Sequence, residues 1–422
     1  MTGIVAGEDV AVSAARVLQR CEILADCTEE SGRITRRYAT VALRDSIRLV
    51  AEWMQESGMS VASDAVGNLI GRYEGRDPDA PTLLLGSHLD TVPDGGRYDG
   101  PLGVLVALAC VERCAAGGER PSVNVEVVAF ADEEGTRFGT AFLGSSAYVS
   151  GLGSEMLLRA DAEGTTLADA MSELGGDPAA AMRATRSFED VLGYVEVHIE
   201  QGALLEARDL PVGVVTGLAG QTRVDAEFRG RAGHAGTVPM GERQDALVVA
   251  AELVLAADAL AREHDGLVAT VGSLVVQPSA ANVVPGHAVV TVDIRHFNDD
   301  TRRAATAELR EQTVDGGARR GVEVLWSERY DTPSVPCSER LCGDLRSAVS
   351  EAGHVVAELT SGAGHDAVRL ASVTEVAMLF VRCAGGVSHH PDEAVRCDDT
   401  ATAIDVLERF IHRCGRNREG DK

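Results

Sequence analysis

Apolar residues recur three and four positions apart in two segments near the start of the chain. These segments, residues 11–28 and 41–58, are predicted to be helices. Strands are predicted within residues 60–75 and at 82–88, and a helix is predicted over 103–118. The apolar run "VNVEVVAF" predicts a further strand that ends in acidic residues. The order strand, helix, strand indicates an α/β sheet with parallel members, whose sites gather at the carboxyl ends of the strands.

The pattern changes in the second half of the chain. Residues 213–326 contain four strand-like segments and two long predicted helices, over 243–264 and 301–321. This set forms a self-contained α+β unit that resembles a ferredoxin-like layer. Helix, strand and helix resume after it, so we predict an inserted domain within a discontinuous α/β domain made of residues 1–212 and 327–422. The α/β domain is expected to hold a mixed, mostly parallel sheet flanked by helices.

Composition narrows the classes of function. A length of 422 residues favours two or three domains, and a net charge of −26 argues against nucleic-acid and anionic-membrane partners. No apolar run reaches the length of about 18 residues that a membrane helix needs. The first residues lack the pattern of a secretory signal, and the nine cysteines form no CxxC pair. We therefore expect a cytoplasmic protein with free thiols.

Acidic and imidazole side chains follow two of the predicted strands. They are His88, Asp90 and Asp99 after the first, and Asp132, Glu133 and Glu134 after the second. Imidazole and carboxylate groups suit zinc, manganese or nickel. Several carboxylates in one cleft would repel one another unless cations were bound. Each motif alone is equally compatible with a polar loop.

Two later segments add candidate ligands. In "VEVHIEQG", His198 and Glu200 point the same way because side chains on a strand alternate. The segment "GGVSHHPDEAV" places His389 in a glycine-flanked loop. A histidine on a strand is more often a core residue than a ligand, so His198 carries little weight by itself.

Taken together, these motifs resemble the N-carbamoyl-L-amino-acid hydrolase and allantoate amidohydrolase family. The segments that carry the resemblance are "GSHLDTVPDGGRYDGPLGV", "FADEEGTRFGTAFLGS", "HIEQG", "GLAGQTR", "RAGHAGTVPM", "NVVPG", "DIRH", "SGAGHDA" and "SHHPDEAV". They occur in the family's order and extend from about residue 30 to 395. The family belongs to the dinuclear metallo-aminoacylase and carboxypeptidase superfamily, which implies a zinc-exopeptidase-like catalytic domain with an inserted lid and dimerisation domain.

The resemblance implies two divalent metal ions per subunit, with zinc as the first expectation and manganese, nickel or cobalt as alternatives. His88 would bind one ion, and Asp99 would bridge both. Glu134 and His389 would complete one site, and His198 would complete the other.

The resemblance also assigns roles to neighbouring residues. Asp90 would hydrogen-bond His88 from behind and fix its tautomer. In the family, the peptide bond between the residues that match Asp99 and Gly100 is often cis. Glu133, which is left without a metal, would move a proton from the attacking water to the leaving nitrogen.

The inserted domain is implied to supply substrate contacts. His234 would stabilise the oxyanion, either in its own chain or across a dimer interface. Gln221, Asn282 and Arg295 would hold the substrate, with Arg295 gripping its carboxylate through a bidentate fork. Backbone amides near Gly364 would meet the same carboxylate. The alternative for Arg295 is an exposed charge at the end of a strand.

Some positions leave alternatives open. His365 and Asp366 could brace their loop or bind metal, and we favour bracing. The chain departs from the family pattern at Ser146, where arginine is usual, and at Ala203 and His390. The change at Ser146 removes a charge near the cleft and puts the usual substrate in question.

The resemblance predicts a homodimeric amidohydrolase that cleaves a ureido or amide C–N bond next to a carboxylate and releases ammonia and CO2. Allantoate or an N-carbamoyl-L-amino acid is the expected substrate, and "TVPMGERQD" favours allantoate. The alternatives are an aminoacylase or dipeptidase-like hydrolase, and a metal-binding homologue without catalysis. A serine hydrolase is disfavoured because "GSS" lacks a nucleophile elbow.

Overall fold

The computed structural model describes residues 9–118 and 120–419 of the chain. Residues 1–8, on which the expectation about a secretory signal rests, lie outside this part. The chain forms two compact units. The first unit comprises the chain up to Thr216, Cys337–Leu359 and the chain from Ala363 onward. The second unit comprises Gly217–Pro336 and Thr360–Gly362.

The helices and strands are numbered in chain order. The helices are α1 (Val10–Ala25), α2 (Val41–Glu56), α3 (Pro101–Gly117), α4 (Leu143–Ser150), α5 (Ser154–Leu157), α6 (Leu167–Leu174), α7 (Leu204–Ala207), α8 (Ala246–Glu263), α9 (Asp299–Arg320), α10 (Glu339–Glu351), α11 (Ala367–Leu370) and α12 (Cys397–Glu419). The strands are β1 (Ser60–Ser63), β2 (Leu69–Tyr73), β3 (Thr82–His88), β4 (Asn124–Phe130), β5 (Val191–Ile199), β6 (Val212–Leu218), β7 (Gly220–Arg229), β8 (Gly233–His234), β9 (Val268–Gln277), β10 (Val283–Val284), β11 (His287–His296), β12 (Glu323–Thr332), β13 (Val335–Pro336), β14 (Glu358–Ser361) and β15 (Val376–Val381).

The first unit is built on a mixed sheet in the order β1-β2-β4-β3-β5-β15-β6. The four central strands β4, β3, β5 and β15 are parallel, and antiparallel strands flank them. Every residue of β3 and β4 is buried, because helices cover both faces of a parallel sheet. This burial explains why the two strands are continuously apolar in sequence. The predicted α/β class is confirmed.

Helix α3 packs closely against the centre of this sheet. It begins after Gly100, whose φ of 83° lies in the left-handed region, and Pro101 occupies its first turn. A Cβ atom at Gly103 would lie 2.0 Å from the carbonyl oxygen of Val197 on β5, so only glycine fits this contact. The close approach places the start of α3 beside the carboxyl end of β5.

The second unit contains an antiparallel sheet in the order β12-β7-β11-β9. Along the chain the order is β7, α8, β9, β11, α9, β12, which is the ferredoxin-like arrangement. Its core is lined by alternate strand residues such as Phe228, Val290 and Val292, and by Leu253 and Leu309 of the two helices.

The second unit extends beyond residue 326, where the sequence analysis placed its end. Strand β12 continues to Thr332, with a register shift between Glu328 and Tyr330. It pairs on one side only, with β7, and its outward-facing residues are exposed. The polar stretch "SERYDT" therefore carries no apolar signal for a strand. Within the part of the chain that the structure covers, no helix is both long and apolar enough to span a bilayer.

Candidate metal centre

Two histidines stand at the carboxyl ends of neighbouring parallel strands. His88 is the last residue of β3, and His198 is the penultimate residue of β5. The register of the two strands pairs Gly86 with Glu196, two residues before each histidine. The imidazoles therefore lie side by side, with ring centroids 5.8 Å apart, and both are buried.

Asp99 lies between these histidines and a second group of side chains. Its Oδ1 is 3.0 Å from Nε2 of His198 and 3.6 Å from Nε2 of His88. Its Oδ2 is 3.1 Å from Nε2 of His389, which is in turn 3.4 Å from Oε1 of Glu134. Each oxygen of one carboxylate thus faces a different set of candidate ligands. This arrangement would allow one carboxylate to contact two ions.

The donor set fits divalent cations. In each three-residue group, one atom from every side chain lies within 4.8 Å of the others. Nε2 of His198 is buried and has no hydrogen-bond partner among the described residues, although it lies beside Asp99. Burial, together with the charge of Asp99, raises the pKa of Glu134 to about 7. A cation between these groups would satisfy the orphaned nitrogen and stabilise the ionised carboxylates.

His389 differs from the buried candidate ligands in its exposure and in the cause of its raised pKa. The hydrogen bond to Asp99 raises the pKa of His389 to about 9, and the charge of Glu134 adds to this effect. The His389 side chain is 47% exposed. His389 lies in a loop after β15, beyond the short 3-10 helix Ala384–Gly386. One ligand set therefore includes a residue from an irregular segment, whereas His88 and His198 lie on strands.

Asp90 connects the first histidine to the acidic segment after β4. Nδ1 of His88 lies 3.1 Å from the backbone oxygen of Asp90 and 3.5 Å from its Oδ1. The Asp90 carboxylate accepts hydrogen bonds from the amides of Glu133, at 3.0 Å, and Glu134, at 3.1 Å. Asp90 thus lies behind His88 and also fixes the backbone of both glutamates.

Glu133 is buried beside the ligands and belongs to neither ligand group. Burial raises the pKa of its carboxyl well above the usual range; the charge of His88 lowers it, whereas Glu134 and Asp366 raise it further. The preceding residue, Asp132, has a φ of 59° and is also buried outside both groups. The backbone turn at Asp132 makes the neighbouring acidic side chains point in different directions.

The expectation of a cis bond after Asp99 is wrong. Among the described residues the cis peptide bond is Gln277–Pro278, so the bond from Asp99 to Gly100 is trans. The left-handed conformation of Gly100 makes the turn instead, and a Cβ atom there would lie 2.6 Å from the His88 ring.

The loop that contains Gly364 also belongs to the first unit. Gly364 packs against Phe142, since a Cβ atom on it would lie 2.7 Å from the ring. The neighbouring His365 is buried, and its ring meets that of His198 edge to face at 4.4 Å between centroids. Burial holds the pKa of His365 well below its ordinary value, and the charge of His198 adds to this. A neutral imidazole packed on a ligand fits the bracing role, although His365, His198 and Glu196 also form a compact donor group.

The remaining predicted residues lie in the second unit, in two places. His234 on β8 neighbours Asn282, because the amide of Ala235 donates to the backbone oxygen of Asn282 at 2.9 Å. Gln221 on β7 and Arg295 on β11 are directly paired across the sheet. The structure therefore brings each pair together.

Arg295 already has an anionic partner. Its Nε donates to Oδ1 of Asp293 at 2.7 Å, and its Nη1 donates to the backbone oxygen of Gly362 at 2.8 Å. Gln221 and Arg223 donate to the other oxygen of Asp293. Burial would raise the pKa of Asp293, but these donors hold it below its usual value. Arg295 is therefore an ion-paired side chain near the end of β11, with 31% of its surface exposed.

Three residues that contact the ligands were not singled out from the sequence. Gln201 Nε2 donates to Oδ2 of Asp99 at 3.0 Å, and Ser388 Oγ donates to the same oxygen at 2.9 Å. Glu393 accepts hydrogen bonds from the backbone of the Asp99 segment. All three lie inside the motifs quoted above, within a few residues of His198 or His389. This proximity was the signal that could have identified them.

Comparisons with known proteins identify the family of this chain. Residues 84–413 match the model of peptidase family M20/M25/M40. The chain is 39% identical to a probable allantoate deiminase of Oryza sativa subsp. japonica, over 93% of this chain and 87% of the relative. It is also 39% identical to an N-carbamoyl-L-amino acid amidohydrolase of Geobacillus stearothermophilus, over 94% and 97%.

A solved structure shares the fold of this chain. An amidase of the hydantoinase/carbamoylase family from Burkholderia multivorans superposes with a TM-score of 0.87 and 31% identity, covering 95% of this chain and 98% of that one. The family predicted from the sequence motifs is confirmed. The chain belongs to peptidase family M20/M25/M40, in which its relatives include allantoate deiminases and N-carbamoyl-L-amino-acid amidohydrolases.

Proposed function

We propose that this protein is a two-metal amidohydrolase that cleaves a ureido C–N bond next to a carboxylate. The observation that carries the proposal is Asp99, whose two oxygens face two separate ligand sets. His88 and His198 would hold one ion with Asp99, and Glu134 and His389 would hold the other. When bound, divalent cations supply Lewis-acid activation of water and of the scissile carbonyl. Zinc is the first expectation because imidazole and carboxylate are its usual nitrogen and oxygen ligands.

Glu133 is the proposed general base. Its backbone is fixed by Asp90 on one side and by the amide of Phe142 on the other, at 3.0 and 2.8 Å. Its carboxylate takes a proton from the attacking water and delivers it to the leaving nitrogen as the C–N bond breaks. The carbamoyl carbon leaves as carbamate, which decomposes to ammonia and CO2. Asp90 holds His88 in one orientation through this cycle.

The proposed substrate contacts are those that the resemblance to the family assigns to individual residues. Arg295 offers its guanidinium to the substrate carboxylate, and Gln221 and Asn282 offer amide groups. Backbone amides near Gly364 meet the same carboxylate. His234 stabilises the oxyanion that forms as water adds to the carbonyl. Arg295 is already ion-paired with Asp293. Substrate binding therefore replaces part of this ion pair with a contact between Arg295 and the substrate carboxylate.

Allantoate or an N-carbamoyl-L-amino acid is the proposed substrate, in keeping with the names of the two relatives. An aminoacylase or dipeptidase-like hydrolase is the runner-up among enzymes. Ser146, which replaces the usual arginine, leaves room for a different group beside the carboxylate. A non-catalytic binding role has no use for the buried, unligated Glu133.

We further propose that the protein acts as a cytoplasmic homodimer through its second unit. Strand β9 is an edge strand that pairs only with β11 within the described sheet. It exposes Val268 at 55% and Val275 at 52%, and Leu255 of α8 is 71% exposed. Unpaired edges with apolar side chains are protected in folded proteins by pairing or by burial against another chain. Light scattering of the purified protein tests this part of the proposal.

A substrate panel tests the reaction. The protein is stripped with a chelator and reloaded with zinc, manganese, cobalt or nickel. Ammonia release is then measured from allantoate and N-carbamoyl amino acids, and acetate release from N-acetyl amino acids. We expect turnover of the ureido substrates only after metal is restored. Turnover confined to the N-acetyl compounds favours the aminoacylase alternative. Firm metal binding without turnover of any compound contradicts the enzyme proposal.

A further inference from the structure

A buried carboxylate that belongs to neither ligand set lies directly behind Asp99. Glu393 is 2% exposed. Its Oε1 accepts hydrogen bonds from the amide nitrogens of Tyr98, at 2.7 Å, and Asp99, at 3.0 Å. The backbone of the shared ligand is thus held by a side chain from the far end of the sequence.

The other oxygen of Glu393 reaches the loop that carries His389. Oε2 lies 3.3 Å from Oγ of Ser388, and that hydroxyl donates to Oδ2 of Asp99 at 2.9 Å. The amide of Glu393 donates to the backbone oxygen of His390 at 3.0 Å, which closes the loop into a turn. One carboxylate therefore contacts both the backbone of Asp99 and the residue next to His389.

The loop before Asp99 is shaped around this carboxylate. A Cβ atom at Gly96 would lie 2.1 Å from the carboxyl carbon of Glu393, a distance that no side chain can adopt. Glycine at this position lets the backbone pass close to the carboxylate. The contact is consequently a packed feature of the fold, with two backbone amides on one oxygen of Glu393 and the Ser388 hydroxyl near the other.

The two ligand sets depend on Glu393 to different degrees. His88 and His198 stand on adjacent strands, and the sheet fixes their separation. His389 stands on an irregular loop, and Asp99 on the turn before α3, so neither is fixed by a strand ladder. Glu393 connects these two segments, together with Ser388, which donates to Asp99, and Arg97, whose Nη1 donates to the backbone oxygen of Pro391 at 3.1 Å.

We propose that Glu393 is a positioning residue that holds Asp99 and the His389 loop in register and thereby sets the affinity for the ion on the Glu134 and His389 side. This inference rests on the proposed two-ion function. Groups that orient metal ligands from behind change metal affinity by about 10–100-fold when they are removed.

Metal titration of the stripped, full-length protein tests the inference. Zn²⁺ binding is measured by calorimetry in competition with a chelator for wild type, Glu393→Ala and Glu393→Gln. We expect Glu393→Ala to bind the weaker of its two ions about 10–100-fold less tightly than wild type, with a smaller loss at the other ion, which shares Asp99 as a ligand. Glu393→Gln should recover most of the loss, because its amide oxygen can still accept from both backbone amides.

Glu126→Ala serves as the matched control. Glu126 is a buried glutamate on β4 that accepts hydrogen bonds from Tyr148 and Arg186, both at 2.7 Å. It belongs to neither ligand group. Its loss should lower the melting temperature and leave both metal affinities unchanged.

Ser388→Ala adds a second test of the same connection. If Glu393 acts partly through Ser388, the affinity losses of the two single variants should sum to more than the loss of the double variant. Wild-type affinities in Glu393→Ala would overturn the inference, as would a loss of equal size at both ions. A wild-type protein that binds a single ion would instead refute the two-ion function itself, and this is read from the wild-type titration alone.

Discussion

Replacing Glu133 by glutamine is the sharpest test of the proposed mechanism. The change keeps the size of the side chain and removes its ability to accept and return a proton. The hydrogen bonds that fix residue 133 involve only its own backbone: its amide donates to the Asp90 carboxylate, and its carbonyl accepts from the amide of Phe142. Burial already disfavours the charged form of this carboxyl, so a neutral amide costs the apo protein nothing in desolvation. The fold and both ligand sets should therefore remain intact.

The expected loss of rate follows from the role of a general base. Such a group contributes about 10²–10⁴-fold, so turnover should fall by at least about a hundredfold. This corresponds to a barrier higher by about 2.7 kcal/mol. The adjacent Glu134→Gln supplies the matched comparison, because Oε1 of Glu134 lies 3.4 Å from His389 within a ligand group. Glu134→Gln should lose an ion, whereas Glu133→Gln should keep both.

Ammonia release and elemental analysis of the same preparations separate the two roles. Near-normal turnover of Glu133→Gln at full metal occupancy would show that the proton is transferred by another group. Loss of metal from Glu133→Gln would show that Glu133 is a ligand. Either result refutes the assignment of the base, and an unchanged melting temperature excludes unfolding as the cause.

Three further outcomes are expected. Asp99→Ala should lose both ions together, because each of its oxygens faces one ligand set; two firmly bound ions in this variant, measured by elemental analysis, would contradict the bridging role. Arg295→Lys should weaken substrate binding by about 1.5–3 kcal/mol, since lysine keeps the charge without the planar fork; an unchanged KM would remove Arg295 from the substrate site. Mixing His234→Ala chains with Glu133→Gln chains should restore activity after subunit exchange if His234 acts at the metal site of the partner chain. Activity that stays at background would show that His234 acts at the metal site of its own chain.

Local signals indicated several of the candidate ligands, whereas the resemblance to the family supplied the full ligand set and the roles of its members. His88, Asp99 and Glu134 follow strands whose burial makes them continuously apolar, and the acids after such strands are conspicuous. The edge strand β12 was harder to place, since half of its residues face solvent and its polar stretch resembles a loop. Strand prediction from hydrophobic pattern works where a strand is buried on both faces and fails at exposed edges.

Contacts between distant segments could not be read from the sequence. The pairing of Arg295 with Asp293 depends on two residues of one strand sharing a face, and a sequence pattern does not distinguish this from two free charges. The contact of Glu393 with the Asp99 amides joins segments separated by 294 residues. Nothing in either segment alone indicates the other as its partner.

The candidate metal centre contains the same hydrogen-bond arrangement twice. Asp90 accepts hydrogen bonds from the consecutive amides of Glu133 and Glu134, and Glu393 accepts them from those of Tyr98 and Asp99. Ligand-bearing turns leave backbone amides without strand or helix partners, and burying such amides unpaired is costly. A buried carboxylate satisfies two amides at once and adds negative charge near the cations. The turns that carry the candidate ligands are thus held by the protein's own hydrogen bonds, in addition to any bond that an ion would make.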